Sequence, residues 1–320
     1  MKKLIFMLVA ILMILAGCSN SDGSTSTSTT SEERSETNVV RIGWGNAGFP
    51  SPFTFSNSGP GGFLRNTFLF DTLTWKDDTG VIPWLASSWE ISKDNLEYTF
   101  KLEEDITFHD GEPLTADDVV FSYNYFKEHT FQWNSDMTKV ASAEKVSDTE
   151  VKITLTEAYV PFVTEIAGIL PIIPEHIWSK VDQPLEYQEV NALVGSGPYT
   201  LDSYDSATGN YKLLENENYF KGEVKVPEIQ YIASENNILA LQNKVIDGAM
   251  TTKYTEVQQL EQLGYDVLKS EPTGSAVRVV FNMNDEQLAD KNLRQAIAYA
   301  LDRASIAEKL VEAKLGFDNT

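Results

Sequence analysis

Cysteine is almost missing from this chain. Its 320 residues hold one, Cys18, so no disulfide can form within it. Histidine is nearly as scarce, with His109, His129 and His176 only, and no two stand at the close spacing of a metal-ligand pair. The cluster His109, Asp110 and Glu112 comes nearest to metal or acid/base chemistry. However, an Asp-Gly step between apolar runs is first of all a turn, and it is read as one here. Basic residues are also few, 25 against 47 acidic ones, for a net charge of -22. Such a surface repels a phosphate backbone, so nucleic acid is not an expected partner. The acidity serves solubility, and a taste for cationic ligands would require the charges to be gathered in one place. No phosphate loop of the form G-x-x-x-x-G-K-[ST] and no G-x-S-x-G elbow occurs. No close nucleophile–base or carboxylate pair stands out, so the chain is not expected to be an enzyme or to need a cofactor.

What is present begins with Met1-Lys2-Lys3 and an almost wholly apolar run, 4–15. About a dozen residues suit the core of a secretory signal and are short for a membrane span. Leu15-Ala16-Gly17-Cys18 follows and resembles a bacterial lipobox, which implies cleavage after residue 17 and a lipid on Cys18. Residues 19–38 contain no aliphatic or aromatic side chain, so they are expected to form a disordered tether. The body would then lie outside the cytoplasm, held at a membrane by its lipids.

The body is long enough for two domains, and 42% hydrophobic content supports sizeable cores. Residues 39–44 read as a strand, followed by a Gly/Pro-rich loop carrying Phe49, Phe53 and Phe55. That loop either faces a ligand or plugs a core with its aromatics. Residues 63–70 read as a short helix presenting Leu64, Phe68 and Leu69 inward. Strand-like pieces follow at 73–75, 89–91, 96–102 and 106–108, the third with Tyr98, Phe100 and Leu102 alternating against polar partners. Thr115 is a natural N-cap, with Asp117 and Asp118 in the first turn and Val119, Val120, Tyr123 and Phe126 at helical spacing. Further strands are expected at 150–155, 211–214, 229–233, 265–268 and 276–281. Helices are expected at 161–168, 238–244, 255–263 and, from the spacing of Leu293, Ala296, Ile297, Ala300 and Leu301, near 293–301. Asp302 should cap another helix at 303–315. The βαβ-like alternation points to an α/β lobe.

Several of these residues carry a resemblance. The ordered series Trp84-Leu85-Ala86, Ser88-Trp89-Glu90, Tyr98, Phe100, Leu102, then Phe108-His109-Asp110-Gly111, Pro113, Thr115 and Asp117-Asp118-Val119 resembles the family 5 extracytoplasmic solute-binding proteins of ABC importers. Gly195-Ser196-Gly197-Pro198-Tyr199 resembles that family's glycine-proline turn. Ile246-Asp247-Gly248-Ala249 resembles its G-x-I-D-x-A segment, with Lys244 where glycine is common. Phe281-Asn282 and Arg294-Gln295-Ala296-Ile297 through Asp302-Arg303 resemble a further signature.

The resemblance implies an α/β fold of the two-lobe, type II periplasmic-binding-protein kind, with mixed sheets flanked by helices. Lobe one would span 39–275, with an inserted subdomain at about 86–192. Residues 276–320 would open a second lobe that is incomplete here. It also implies a monomeric lipoprotein that captures peptides between two lobes and delivers them to ABC permease subunits. A nickel or metal-chelate receptor of the same fold is the first alternative, and a secreted enzyme or sensor the second. The residues expected to face the ligand are Trp44, Asn46, Phe49, Met250, Thr251, Phe281 and Asn282. Packing in a core or hinge is the competing role for each.

Overall fold

The computed structural model describes residues 38–45, 48–53, 60–129, 136–251, 253–268 and 279–306, all within the unit that begins at Thr37. In chain order the first elements are β1 (Val39–Trp44), α1 (Pro60–Asn66), β2 (Thr74–Asp77), β3 (Gly80–Pro83), β4 (Ala86–Ile91) and β5 (Glu97–Leu102). The long helix α2 (Ala116–Glu128) precedes β6 (Val140–Ser147) and β7 (Glu150–Leu155), and two single turns follow, α3 (Phe162–Glu165) and α4 (Glu175–Trp178). Then come β8 (Tyr199–Asp205), β9 (Asn210–Glu215), β10 (Glu228–Ala233), α5 (Asn237–Gln242), β11 (Gly248–Ala249), α6 (Tyr254–Gln262) and α7 (Lys291–Ala300).

Two sheets carry the architecture. The first has the order β11-β1-β10-β9-β8, with β1 parallel to both neighbours and the remaining pairs antiparallel. It is covered on both faces. One face, carrying Tyr199, Tyr211, Leu213, Ile229 and Tyr231, joins the main core. The other packs Ile232 under α5 and α6 through Leu241, Ile246 and Leu260. Gly43 is needed there, because a Cβ would meet Ile246 Cδ1 at 2.4 Å and Asn237 Oδ1 at 2.8 Å.

The second sheet, β4-β5-β7-β6, is wholly antiparallel. Its alternation is legible in the residues: Tyr98, Phe100 and Leu102 are buried on one face of β5, as are Val151, Ile153 and Leu155 on β7. Each large side chain so buried contributes roughly 1.5–3 kcal/mol. Helix α2 lays Val119, Tyr123 and Phe126 into the same core. Its start is a capping box, with the Thr115 side chain accepting from the Asp117 amide and the Asp118 carboxylate accepting from the Thr115 amide. The other Asp118 oxygen accepts from the Glu175 amide at 3.0 Å, so one carboxylate tops two helices.

Several sequence expectations need correction. Leu64 is exposed on α1, while Phe68 and Leu69 lie beyond the end of the helix and pack inward from turns. Residues 106–108 form one bridge, Thr107 to Pro113, and no strand. Residues 265–268 and 279–281 are not strands. No partner strand adjoins them among the described residues, and an extended segment without one leaves its backbone groups to water. Leu268 is accordingly 99% exposed. The amphipathic helix does form, as α7, with none of its residues buried. Asp302 accepts from the Ser305 amide as expected of a cap, but residues 307–315 of the helix expected there lie outside the described residues, as do Cys18, the tether up to residue 37 and residues 276–278.

Candidate functional site

Strand direction decides where the residues expected to face a ligand meet. β1, β10 and β11 run parallel, and β8 shares their direction because it is antiparallel to β9, itself antiparallel to β10. Four carboxyl ends therefore lie along one sheet edge, the place where open α/β sheets take their ligands. Trp44 ends β1. The register Gly43 to Ala249 puts Met250 beside it, and Thr251 follows. Met250 is 58% exposed, a large apolar side chain open to solvent at that edge. The Thr251 hydroxyl donates to Glu256 Oε2 at 2.6 Å and accepts from the Lys253 amide at 3.1 Å, tying it to the start of α6.

Phe49 is also at this edge, but under it. It is 7% exposed and meets Tyr204 edge-on at 5.6 Å. Phe53 goes deeper, stacking on Phe126 at 5.1 Å and lying 5.3 Å from Trp178. The described part of this loop thus plugs the core, because bulky aromatics in a Gly/Pro-rich segment need a surface to pack on. Asn46 lies outside the described residues. Phe281 is half-buried. Asn282 is exposed and closes a local turn, accepting from the Asn284 and Asp285 amides. No hydrogen bond or ring contact among the described residues joins that pair to the edge.

Residues that sequence reasoning passed over hold the edge in place. Arg41 on β1 makes a two-pronged pair with Asp247, Nε to Oδ2 and Nη2 to Oδ1, both at 2.9 Å. Its amide also donates to Asp247 Oδ2, its carbonyl accepts from the Asp247 amide, and Nη1 reaches Lys244 O. Hydrogen bonding with Arg41 holds the Asp247 carboxyl below its usual range. Two-residue β11 would have little else to fix it, so this pair sets where Met250 emerges. Arg65, buried at 3% exposure on α1, lies 4.7 Å over the Trp44 ring. Trp44 meets Tyr231 edge-on at 6.4 Å, and Tyr231 stacks on Tyr211 at 4.6 Å. Burial pushes both phenols up, and Arg65 opposes this in part.

The His109–Asp110–Gly111 turn works away from the edge. His109 Nδ1 accepts from the Gly195 amide at 3.2 Å, so the ring proton sits on Nε2, which donates to Gly197 O at 3.0 Å. The His109 amide also donates to Gly195 O at 2.8 Å. Burial lowers the His109 pKa, and protonating Nδ1 would set a proton against the Gly195 N–H. The glycines are required by contact: a Cβ on Gly195 would meet Leu69 O at 2.0 Å, and one on Gly197 would meet Leu69 C at 2.5 Å. Ser196 between them donates to Asp71 Oδ2 at 2.9 Å, while Trp84 Nε1 and the Tyr219 hydroxyl donate to Asp71 Oδ1 at 2.7 and 3.1 Å. Burial raises the Asp71 pKa to about 6 in spite of these bonds. His176 Nε2 contacts Asp110 Oδ2 at 2.8 Å. Among the described residues no three His, Cys, Asp or Glu side chains group as a metal site. The turn packs against the glycine-proline turn, which is its partner in the fold.

A mixed sheet with parallel strands at one side, an open carboxyl edge and a second antiparallel sheet define a lobe of the type II periplasmic-binding class. The chain belongs to the bacterial extracellular solute-binding proteins, family 5, whose middle-region model matches residues 80–317. The oligopeptide-binding protein AppA of Bacillus subtilis is 29% identical over 97% of this chain and 59% of its own length. The nickel-binding periplasmic protein of Escherichia coli is 28% identical over 54% of this chain and 33% of its own. Among solved structures, the ABC transporter substrate-binding protein CtaP of Listeria monocytogenes superposes with a TM-score of 0.63 at 30% identity, covering 85% of this chain and 56% of that one. Bacillus subtilis AppA in complex with a nonapeptide gives 0.68 at 25% identity, covering 87% and 56%. The chain spans 59% and 60% of the length of two of the curated relatives it matches.

Proposed function

We propose that this chain is the ligand-binding part of an extracytoplasmic receptor that captures peptides and passes them to an ABC permease. It acts without a cofactor, as a binding protein rather than an enzyme, and as a monomer. The observation that carries this is the convergence of Trp44, Met250 and Thr251 on the carboxyl edge of the parallel strands. An exposed thioether and an indole beside free strand ends suit an extended peptide, whose main chain would hydrogen-bond while its side chains meet adaptable apolar surface. The relative crystallised with a nonapeptide supports this choice of ligand. Phe281 and Asn282 would mark the crossing into a second lobe beginning near residue 276. Lobe one is assigned to 39–275, with the antiparallel sheet as the heart of an insertion at about 86–192. Cys18 would carry the lipid anchor, residues 1–17 the signal and 18–38 the tether. Closure of two lobes on a ligand would then be selected by contacts to both.

The Escherichia coli nickel-binding relative keeps a second reading in view, a receptor for a nickel chelate. Calorimetry with mixed short peptides and with nickel–histidine chelate separates the two. Peptide binding that weakens at least tenfold in Trp44→Ala is expected. Binding of the chelate with no response to any peptide overturns the peptide reading.

A further inference from the structure

The indole at the ligand edge is already half used. Arg65 covers one face of the Trp44 ring from 4.7 Å, and Tyr231 meets its edge. Trp44 remains partly exposed, and with Arg65 over one face a ligand could stack on the ring only from the other. A ring attracts a cation through the negative charge of its faces. With a guanidinium held against one face, that attraction is spent, and a second cation on the other face would feel Arg65 through a ring that water cannot enter. Arg65 is itself anchored, buried on α1 beside the Tyr211–Tyr231 stack, so it does not swing away when a ligand arrives.

We propose that Arg65 is a positioning and specificity-determining residue: stacked behind Trp44, it makes the indole a platform for neutral apolar or aromatic peptide side chains and turns away lysine and arginine. This rests on the peptide reading above.

The test uses calorimetry with tripeptides that differ only in Phe, Leu or Lys at one position, scanned through all three. The proteins are the full chain, Arg65→Met, Arg65→Lys, and Arg65→Met in a Trp44→Leu background. The wild type should favour Phe and Leu over Lys by roughly tenfold at one position. Arg65→Met should bring that ratio close to one, Arg65→Lys should keep most of it, and the ratio should stay near one when Trp44 is already gone. A purely structural Arg65 would weaken all peptides by one common factor with the ratio intact, and that result overturns the inference. Ligand-free protein gives an independent reading: Arg65→Met should change the part of the near-ultraviolet circular dichroism that Trp44→Leu removes. An unchanged signal also refutes the positioning role. If the wild type binds no peptide, the peptide reading fails and this inference falls with it, whereas normal peptide affinity with an unaltered ratio defeats this inference alone.

Discussion

Asp71 can be tested without touching the carboxyl edge of the first sheet. Its carboxylate is 2% exposed and accepts from Trp84, Tyr219 and Ser196. Two of those donors converge on Oδ1 and the third on Oδ2, so an asparagine fits the same geometry. Its carbonyl oxygen would accept from Trp84 and Tyr219, and its amide would donate to a Ser196 hydroxyl turned about its own bond. Asp71→Asn thus removes the charge and keeps the network. Folding raises the Asp71 pKa from 3.8 to about 6. A carboxyl raised on folding favours the native state below the unfolded pKa, and that advantage is lost as pH rises through the folded value. The interval corresponds to about 3 kcal/mol, the cost of keeping a charged carboxylate in the core above pH 7. Urea unfolding of both proteins at pH 4, 5, 6, 7 and 8 reads it directly. The two should be within about 1 kcal/mol of each other at pH 4, with the asparagine variant gaining about 3 kcal/mol by pH 7 and no more beyond. A difference that stays flat with pH, or that runs the other way, refutes the reasoning. Asp71→Ala should instead lose about 3–5 kcal/mol at pH 4, since it strands three donors, only Ser196 of them fully buried, and that loss should shrink by about 3 kcal/mol by pH 7 because this variant also lacks the charge.

Three more outcomes follow from the same contacts. Gly197→Ala should cost about 3 kcal/mol in thermal unfolding, because its methyl has backbone to displace, while Gly45→Ala, with open space around it, should change stability by less than about 0.5 kcal/mol. His109 is held neutral, so the wild type should lose stability relative to His109→Gln as pH falls below 6.5, the opposite slope to that of Asp71 and separable from it in difference profiles. Thr115→Ala should cost roughly 1 kcal/mol and speed amide exchange in the first turn of α2.

Much of the scaffold was legible in the residues themselves. The alternation of Tyr98, Phe100 and Leu102 and the cap at Thr115 are local signals, and both appear as read. Asp110-Gly111 is a turn for local reasons too, but what the turn grips lies 86 to 88 residues on, at Gly195 and Gly197, beyond the reach of any periodicity. The strand expected at 265–268 and the described part, 279–281, of the one expected at 276–281 failed for the converse reason, since apolar content cannot supply a partner. The edge was half legible. Trp44 ends a strand and Met250 follows an Asp-Gly turn, both local properties, but their adjacency is a matter of parallel register. Arg41 and Arg65 gave no signal in sequence. A charged residue in a strand and another in a short helix look alike on paper, whether they reach solvent, a carboxylate or an indole.

The place of β1 also bears on the order in which this chain can fold. It is an inner strand, yet both its neighbours come late, and its clamp to Asp247 joins residues 206 apart in sequence. The antiparallel sheet, by contrast, contains two hairpins, β4–β5 and β6–β7, that pair strands adjacent in the chain and can condense early. Loops of this length are slow to close. The carboxyl edge of the first sheet should therefore be the last part of the described fold to mature, and until it does, residues 39–44 remain an unpaired apolar strand, the segment a chaperone has most reason to hold.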